Sequence, residues 1–175
     1  ILAQAFVTEG GVVPMNYHFT TTKAHITLKG GRVEELITPA GLEVTSTLPF
    51  KGDIDVDALR ALVAEVGPQR IPFVRIEAGT NLIGGQPVSV ANMRAVRAVC
   101  DEFGLLLVLD ASLLADNLWF NKTREAEFKD APIADVVRAV ADQFDIIYFS
   151  ARKLGCARGG GICVRDRALY ERMRP

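Results

Sequence analysis

Three short apolar runs, Ile71–Ile76, Leu105–Leu109 and Ile146–Phe149, alternate with segments whose apolar residues fall at helical spacing. Each run is brief and rich in branched or aromatic residues, with Arg75 the one charged residue within them. Each therefore reads as a strand buried on both faces. Such strands, separated by helices, build an α/β fold: a mainly parallel sheet with helices on both faces and right-handed crossovers. The intervening helices carry their own start and stop signals. Asp55 is placed to cap a helix with Leu59, Leu62, Val63 and Val66 inward. Ser89 opens a second, striped by Met93, Val96, Val99, Cys100 and Phe103 and stopped by Gly104. Pro132 opens a third, with Ile133, Val136, Val137 and Val140 inward.

The remaining stretches are less regular. Residues 2–7 read as a strand, and Tyr17–Phe19 with Thr20–Thr22 as a strand end or a binding loop. Ile26–Leu28 and Val33–Ile37 read as short strands about a turn, and Pro39–Phe50 as a loop. Asn117–Lys129 is polar and charged, with Trp119 and Phe120 as its apolar anchors. The 175 residues suffice for one domain with a sizeable core. A net charge of −1 provides no field for nucleic acid, and no apolar run is long enough for a membrane span. Cys100, Cys156 and Cys163 lack metal spacing and read as small packing residues. His18 and His25 read as structural or rim residues, so no metal site is expected. No dinucleotide or P-loop motif is present. The chain opens without methionine and stops in what reads as an unfinished helix, which suggests a piece of a longer protein.

In a parallel sheet the strand carboxyl ends share one edge, and Asn81, Asp110 and Lys153 fall just past three consecutive runs. A lysine there faces the crevice where open α/β sheets bind ligands. Burial would make it lose its proton readily, as Schiff-base chemistry needs; alone, it reads first as a loop-edge lysine. Asp110 at a buried strand end needs a cation: a pyridinium, an arginine or lysine of the protein, or a helix N-terminus. Together these residues match the needs of pyridoxal phosphate. The lysine holds the cofactor, and the carboxylate keeps the ring nitrogen protonated so that the ring accepts electrons. Asn81 would serve the phenolic oxygen, Ser150 the phosphate and Phe19 the ring face. Each has a plainer alternative, as a turn residue, a strand-end serine and a core aromatic.

The segment Asn81–Val96, with its Asn-Leu-Ile-Gly-Gly-Gln-Pro-Val-Ser opening, closely resembles the tryptophanase and tyrosine phenol-lyase family, the β-eliminating lyases. So do, in the same order, Phe19–His25, Asp116–Phe120 with Arg124–Phe128, and Ser150–Lys153. The resemblance covers nearly the whole chain. It implies a fold-type I, PLP-dependent transferase-like large domain, of which residues 1–175 are the central part. The family's N-terminal segment and C-terminal small domain would lie outside the chain. It implies Lys153 and Asp110 as catalytic and cofactor-binding residues, with Asn81, Ser150 and Phe19 also on the cofactor. Thr20 would lie near the substrate ring, and Arg152 stands where the family has a second basic residue. The implied activity is α,β-elimination of an aromatic or other β-substituted L-amino acid to pyruvate and ammonia, in a cytoplasmic homo-oligomer, dimer or tetramer. The resemblance leaves room for a monovalent cation, potassium.

Two departures qualify it. The family has Asp-x-x-Arg after the central strand, where this chain has Asp110-Ala-Ser-Leu113, and Leu154 stands where an aspartate usually follows the lysine. The rival expectations are another fold-type I enzyme, an aldolase or transaminase, and a non-catalytic family member that acts as a binding or assembly partner.

Overall fold

The three apolar runs lie side by side as parallel strands at the centre of a six-stranded sheet. The computed structural model describes residues 1–153 and 158–174. The strands are β1 (Val12–Met15), β2 (Arg32–Glu35), β3 (Val74–Glu77), β4 (Leu107–Asp110), β5 (Ile146–Ser150) and β6 (Gly160–Val164). Their order is β2-β1-β3-β4-β5-β6, all parallel except that β6 runs antiparallel to β5. The chain thus winds from β1 to β2 in one direction, then from β3 to β5 in the other. The crevice between β1 and β3 is the topological switch point, where sheets of this kind take their ligands.

Helices cover both faces. α4 (Val56–Val66), α5 (Val90–Phe103) and α7 (Ile133–Ala141) pack on the face formed by Val12, Val74, Ile76, Leu107 and Leu109. α1 (Leu2–Phe6), α2 (Thr20–Leu28) and α8 (Arg167–Met173) pack on the other, with Val13, Met15, Phe73, Val108 and Ile146. The expected caps form. Asp55 accepts from the Ala58 N–H and Ser89 from the Asn92 N–H, and Gly104 ends α5 in the left-handed conformation at φ +66°.

Several local expectations are corrected. Residues 2–6 form α1 rather than a strand, with Val7 extended beyond it, and Ile26–Leu28 is the last turn of α2. Only Ile26 of α2 is buried, against Phe6 and Val7, so tertiary packing overrides the local preference for extended structure. Pro39–Leu42 is a short helix, α3. The polar stretch after β4 is α6 (Leu114–Arg124), but Trp119 is exposed and Phe120 only half-buried. Asn117, Leu118 and Asn121 hold α6 down instead. Ile133 and Val137 of α7 are exposed while Val136 and Val140 are buried. Cys163, on the edge strand β6, is exposed; Cys100 is buried, and burial pushes its thiol up to about 12. Leu154 and Cys156 lie outside the described residues, as does part of the glycine-rich run that follows Lys153.

β6 pairs closely with β5 because of its glycines. A Cβ at Gly160 would come within 2.2 Å of the Phe149 carbonyl oxygen, and one at Gly161 within 2.8 Å of the Phe149 ring.

Candidate active site

The carboxyl edge of the sheet is assembled by side chains that stand in for missing backbone pairing. β1 and β3 share a single registered pair, Met15 with Arg75. Beyond it the strands diverge, and the buried amide of Asn16 closes the gap. Its Nδ2 donates to the carbonyls of Glu77 and Gly52, both at 3.0 Å, and its Oδ1 accepts from the Glu77 N–H at 3.0 Å. Asn117 of α6 does the same for the segment after β3. Its Oδ1 accepts from the N–H groups of Gly79 (3.1 Å) and Val88 (2.8 Å), and its Nδ2 donates to the Val88 carbonyl at 3.0 Å. A buried amide that satisfies three backbone groups fixes a loop in the way a strand pair would.

Phe19, Asp110, Ser150 and Lys153 meet on one cavity of about 320 Å³ at this edge, together with Thr21, Thr22, Ser112, Tyr148, Phe149 and Gly159. That volume lies at the small end of ligand sites. Phe19 comes from the segment after β1, Asp110 ends β4, and Ser150 and Lys153 follow from β5. The Lys153 ammonium sits 4.4 Å from the centroid of the Phe19 ring, in cation–π contact. Asn81, Thr20 and Arg152 are not among the residues that line this cavity. Asn81 lies in a 3₁₀ turn, with its N–H on the Glu77 carboxylate at 3.2 Å; Thr20 and Arg152 are exposed. A larger, mostly apolar cavity of about 570 Å³ adjoins it, sharing Thr21, Thr22, Tyr148 and Phe149 and bounded by His25, Phe73 and Ile162.

Under the cavity lies a charge cluster that sequence reasoning did not single out. Arg75 and Glu77 point to one face of β3, and register sets Glu77 beside Asp110 and Asp110 beside Tyr148. Arg75 is 1% exposed. Its Nη2 donates to Asp110 Oδ2 at 2.6 Å and Glu77 Oε2 at 3.2 Å, its Nε to the Tyr148 hydroxyl at 2.8 Å, and its Nη1 to the Tyr17 carbonyl at 3.3 Å. Burial alone would push the Asp110 carboxyl up. The Arg75 guanidinium and hydrogen bonds from Ser112, Tyr148 and Arg75 outweigh burial and hold it below the ordinary carboxylate range. Burial wins at Glu77, which is raised despite Arg75, and at Tyr148, which is pushed up to about 12. The sequence signal was available: a buried strand with charges at alternate positions, Arg75 and Glu77, demands partners across the sheet.

Asp110 stays ionised and has room for one more donor. Its Oδ2 accepts from Arg75 and from the Tyr148 hydroxyl (2.9 Å), and its Oδ1 accepts from the Ser112 N–H at 3.0 Å. A carboxylate has about four lone-pair sites, so one remains on Oδ1. An open carboxylate acceptor, an amine, an aromatic face and hydroxyls around one cavity fit a flat, anionic pyridine aldehyde. Among the described residues no group of three or more His, Cys, Asp or Glu side chains could hold a metal ion. His18 pairs instead with Glu35. No helix among the described residues is long and apolar enough to cross a membrane.

The chain is similar to known proteins over nearly its whole length. The chain is 39% identical to a tyrosine phenol-lyase of Intrasporangium calvum over 99% of its own length and 37% of that protein's. It is 38% identical to a tryptophanase of Salinibacter ruber over 91% of its length and 34% of that protein's. It thus spans little more than a third of these relatives. Its fold is shared with threonine aldolase of Leishmania major (TM-score 0.64, 21% identity, 99% of this chain and 45% of that one). It is also shared with CalE6, a methionine gamma lyase of Micromonospora echinospora (TM-score 0.57, 20% identity, 98% of this chain and 37% of that one). The model of the beta-eliminating lyases matches residues 3–174, and the chain belongs to that family.

Proposed function

We propose that this chain is the cofactor-binding centre of a pyridoxal phosphate lyase that removes the β-substituent of an aromatic or other β-substituted L-amino acid, leaving pyruvate and ammonia. The observation that carries this reading is the convergence of Lys153, Phe19, Asp110 and Ser150 on one cavity at the sheet's carboxyl edge. When bound, pyridoxal phosphate supplies an electron sink for bond cleavage at the substrate α-carbon.

The protein's own residues divide the remaining work. Lys153 Nζ would hold the cofactor and, once freed, would take the proton from the substrate α-carbon. Asp110 stays anionic under the pull of Arg75 and offers its free Oδ1 site to the ring nitrogen's N–H. Phe19 covers one ring face and keeps water from it. Ser150 reaches the phosphate. Asn81 is assigned to the phenolic oxygen, Thr20 to the substrate ring and Arg152 to the substrate side. The family resemblance supports these three, which lie outside the cavity lining. We further propose that the chain is the central part of a larger cofactor-binding domain in a cytoplasmic homo-oligomer, dimer or tetramer, with potassium as a candidate ion.

The test is a visible absorbance band on adding pyridoxal phosphate to the full-length protein, trapped by borohydride and lost in Lys153→Ala. Pyruvate release across tryptophan, tyrosine, cysteine and serine then names the leaving group. Absence of band and adduct overturns the reading in favour of a non-catalytic family member. A band without pyruvate release points to an aldolase or transaminase.

A further inference from the structure

We propose that Arg75 is a positioning residue that shares the Asp110 carboxylate with the pyridine nitrogen, so that the nitrogen holds its proton less firmly than Asp110 alone would make it. This rests on the cofactor reading above.

The guanidinium is fixed before any ligand arrives. It stands on a central strand, and each of its three nitrogens has a polar partner. Rotation is closed off by Met15, whose sulfur lies 3.8 Å from Nη1, and by the Tyr148 hydroxyl. Arg75 and Tyr148 both donate to Asp110 Oδ2, which leaves the ring nitrogen only the second lone-pair site of Oδ1. The carboxylate therefore answers to two cations at once, and a fixed one at 2.6 Å weakens its pull on the other.

The charges that face Asp110 can be counted. Glu77 comes from the same strand as Arg75, Tyr148 from β5, and the Lys153 ammonium stands across the cavity. With Glu77 ionised, Arg75, Glu77 and Asp110 sum to −1; with Glu77 neutral they sum to zero. Arg75 thus offsets the charge that would otherwise hold a proton on the ring. Leu113, where the family pattern has an arginine, adds no cation, and it packs its Cβ against Gly79 instead. Among the described residues Arg75 is the guanidinium that contacts Asp110. A purely structural role would give Arg75 an effect on folding and none on the nitrogen.

The experiment follows the nitrogen itself. Full-length protein is loaded with pyridoxal phosphate labelled with ¹⁵N in the ring, and the nitrogen shift is titrated in wild type, Glu77→Gln and Arg75→Met/Glu77→Gln. The single variant leaves Arg75 against Asp110, sum zero; the double variant leaves Asp110 alone, sum −1. The expected result is a proton affinity at the nitrogen at least about tenfold higher in the double variant than in the single one. Equal or lower affinity overturns the proposal. Should the double variant fail to fold, Arg75→Gln/Glu77→Gln, which keeps a polar side chain beside Tyr148 and Asp110, takes its place. A rise of about tenfold over Glu77→Gln supports the proposal, and equal or lower affinity overturns it. If wild type gives neither the visible band nor the borohydride adduct, the cofactor reading fails and takes this one with it. A loaded wild type with equal titrations sinks the role of Arg75 alone.

Discussion

The Arg75 guanidinium and the Asp110 carboxylate lie 2.6 Å apart on adjacent strands, both buried. Removing one partner leaves a charge without water or counterion, and here it leaves two, since Glu77 also leans on Arg75 at 3.2 Å. Arg75→Met is expected to cost about 3–5 kcal/mol in urea unfolding, with part of the loss recovered by adding Glu77→Gln. A loss under about 1 kcal/mol would show that water reaches the cluster.

Phe19 is expected to act on binding more than on folding, because it is only half-buried and faces the cavity beside Lys153. Phe19→Leu keeps an apolar side chain and removes the flat face. Pyridoxal phosphate should bind about three- to tenfold more weakly, measured by titration of the visible band. Unchanged affinity would mean that the ring does not cover the cofactor.

Asp53 gives a pH dependence that is independent of the cofactor. Its carboxylate accepts the Ser89 N–H at 2.7 Å and the Ser89 hydroxyl at 3.0 Å, yet burial, aided by the nearby Glu125 carboxylate, pushes it up to about 6 from 3.8. The folded state binds this proton more tightly than the unfolded chain. The stabilisation is complete below the unfolded value and is lost as pH rises through about 6. Stability should fall by about 1–3 kcal/mol across that window, and Asp53→Asn should flatten the profile. A wild-type profile that is level between the two values would contradict it.

Gly79 sits at φ +71°, and a Cβ there would meet Leu113 Cβ at 2.9 Å and the Leu113 carbonyl at 3.3 Å. Gly79→Ala should destabilise by about 1–3 kcal/mol from backbone strain and collision together. Melting curves of Gly79→Ala in the wild-type and Leu113→Gly backgrounds would separate the two contributions. The cost should shrink, not vanish, in the second background, because the strained φ remains.

How far the sequence spoke can be seen residue by residue. The strand–helix–strand core was legible because β3 and β4 are buried along their whole length, although β5 is buried only at Ile146, and because Asp55, Ser89 and Gly104 punctuate the helices locally. α1 was not legible, since Leu2–Phe6 is too short to show a helical period and owes its form to packing on Phe73. β6 was hidden in a glycine-rich run whose signal is absence of side chains rather than pattern. At the site, Asp110 and Lys153 stood out because strand ends are readable. Arg75 stayed unseen as the partner of Asp110 because cross-strand register, which joins residues 35 positions apart, is written in no local window. Asn117 stands at the head of a polar, charged stretch with no local sign that its amide is the clasp of the loop after β3.

The divergence of β1 and β3 has a consequence for how this protein can change. The winding direction reverses there, and Asn16 and Asn117 hold the neighbouring segments in place without lining the cavity. Hence the shape of the binding place and its electrical character are inherited separately. Exchanges made together at Arg75 and Glu77 retune what the floor does to a ligand while the walls stay put, so relatives diverge in chemistry without passing through an open-sided ancestor.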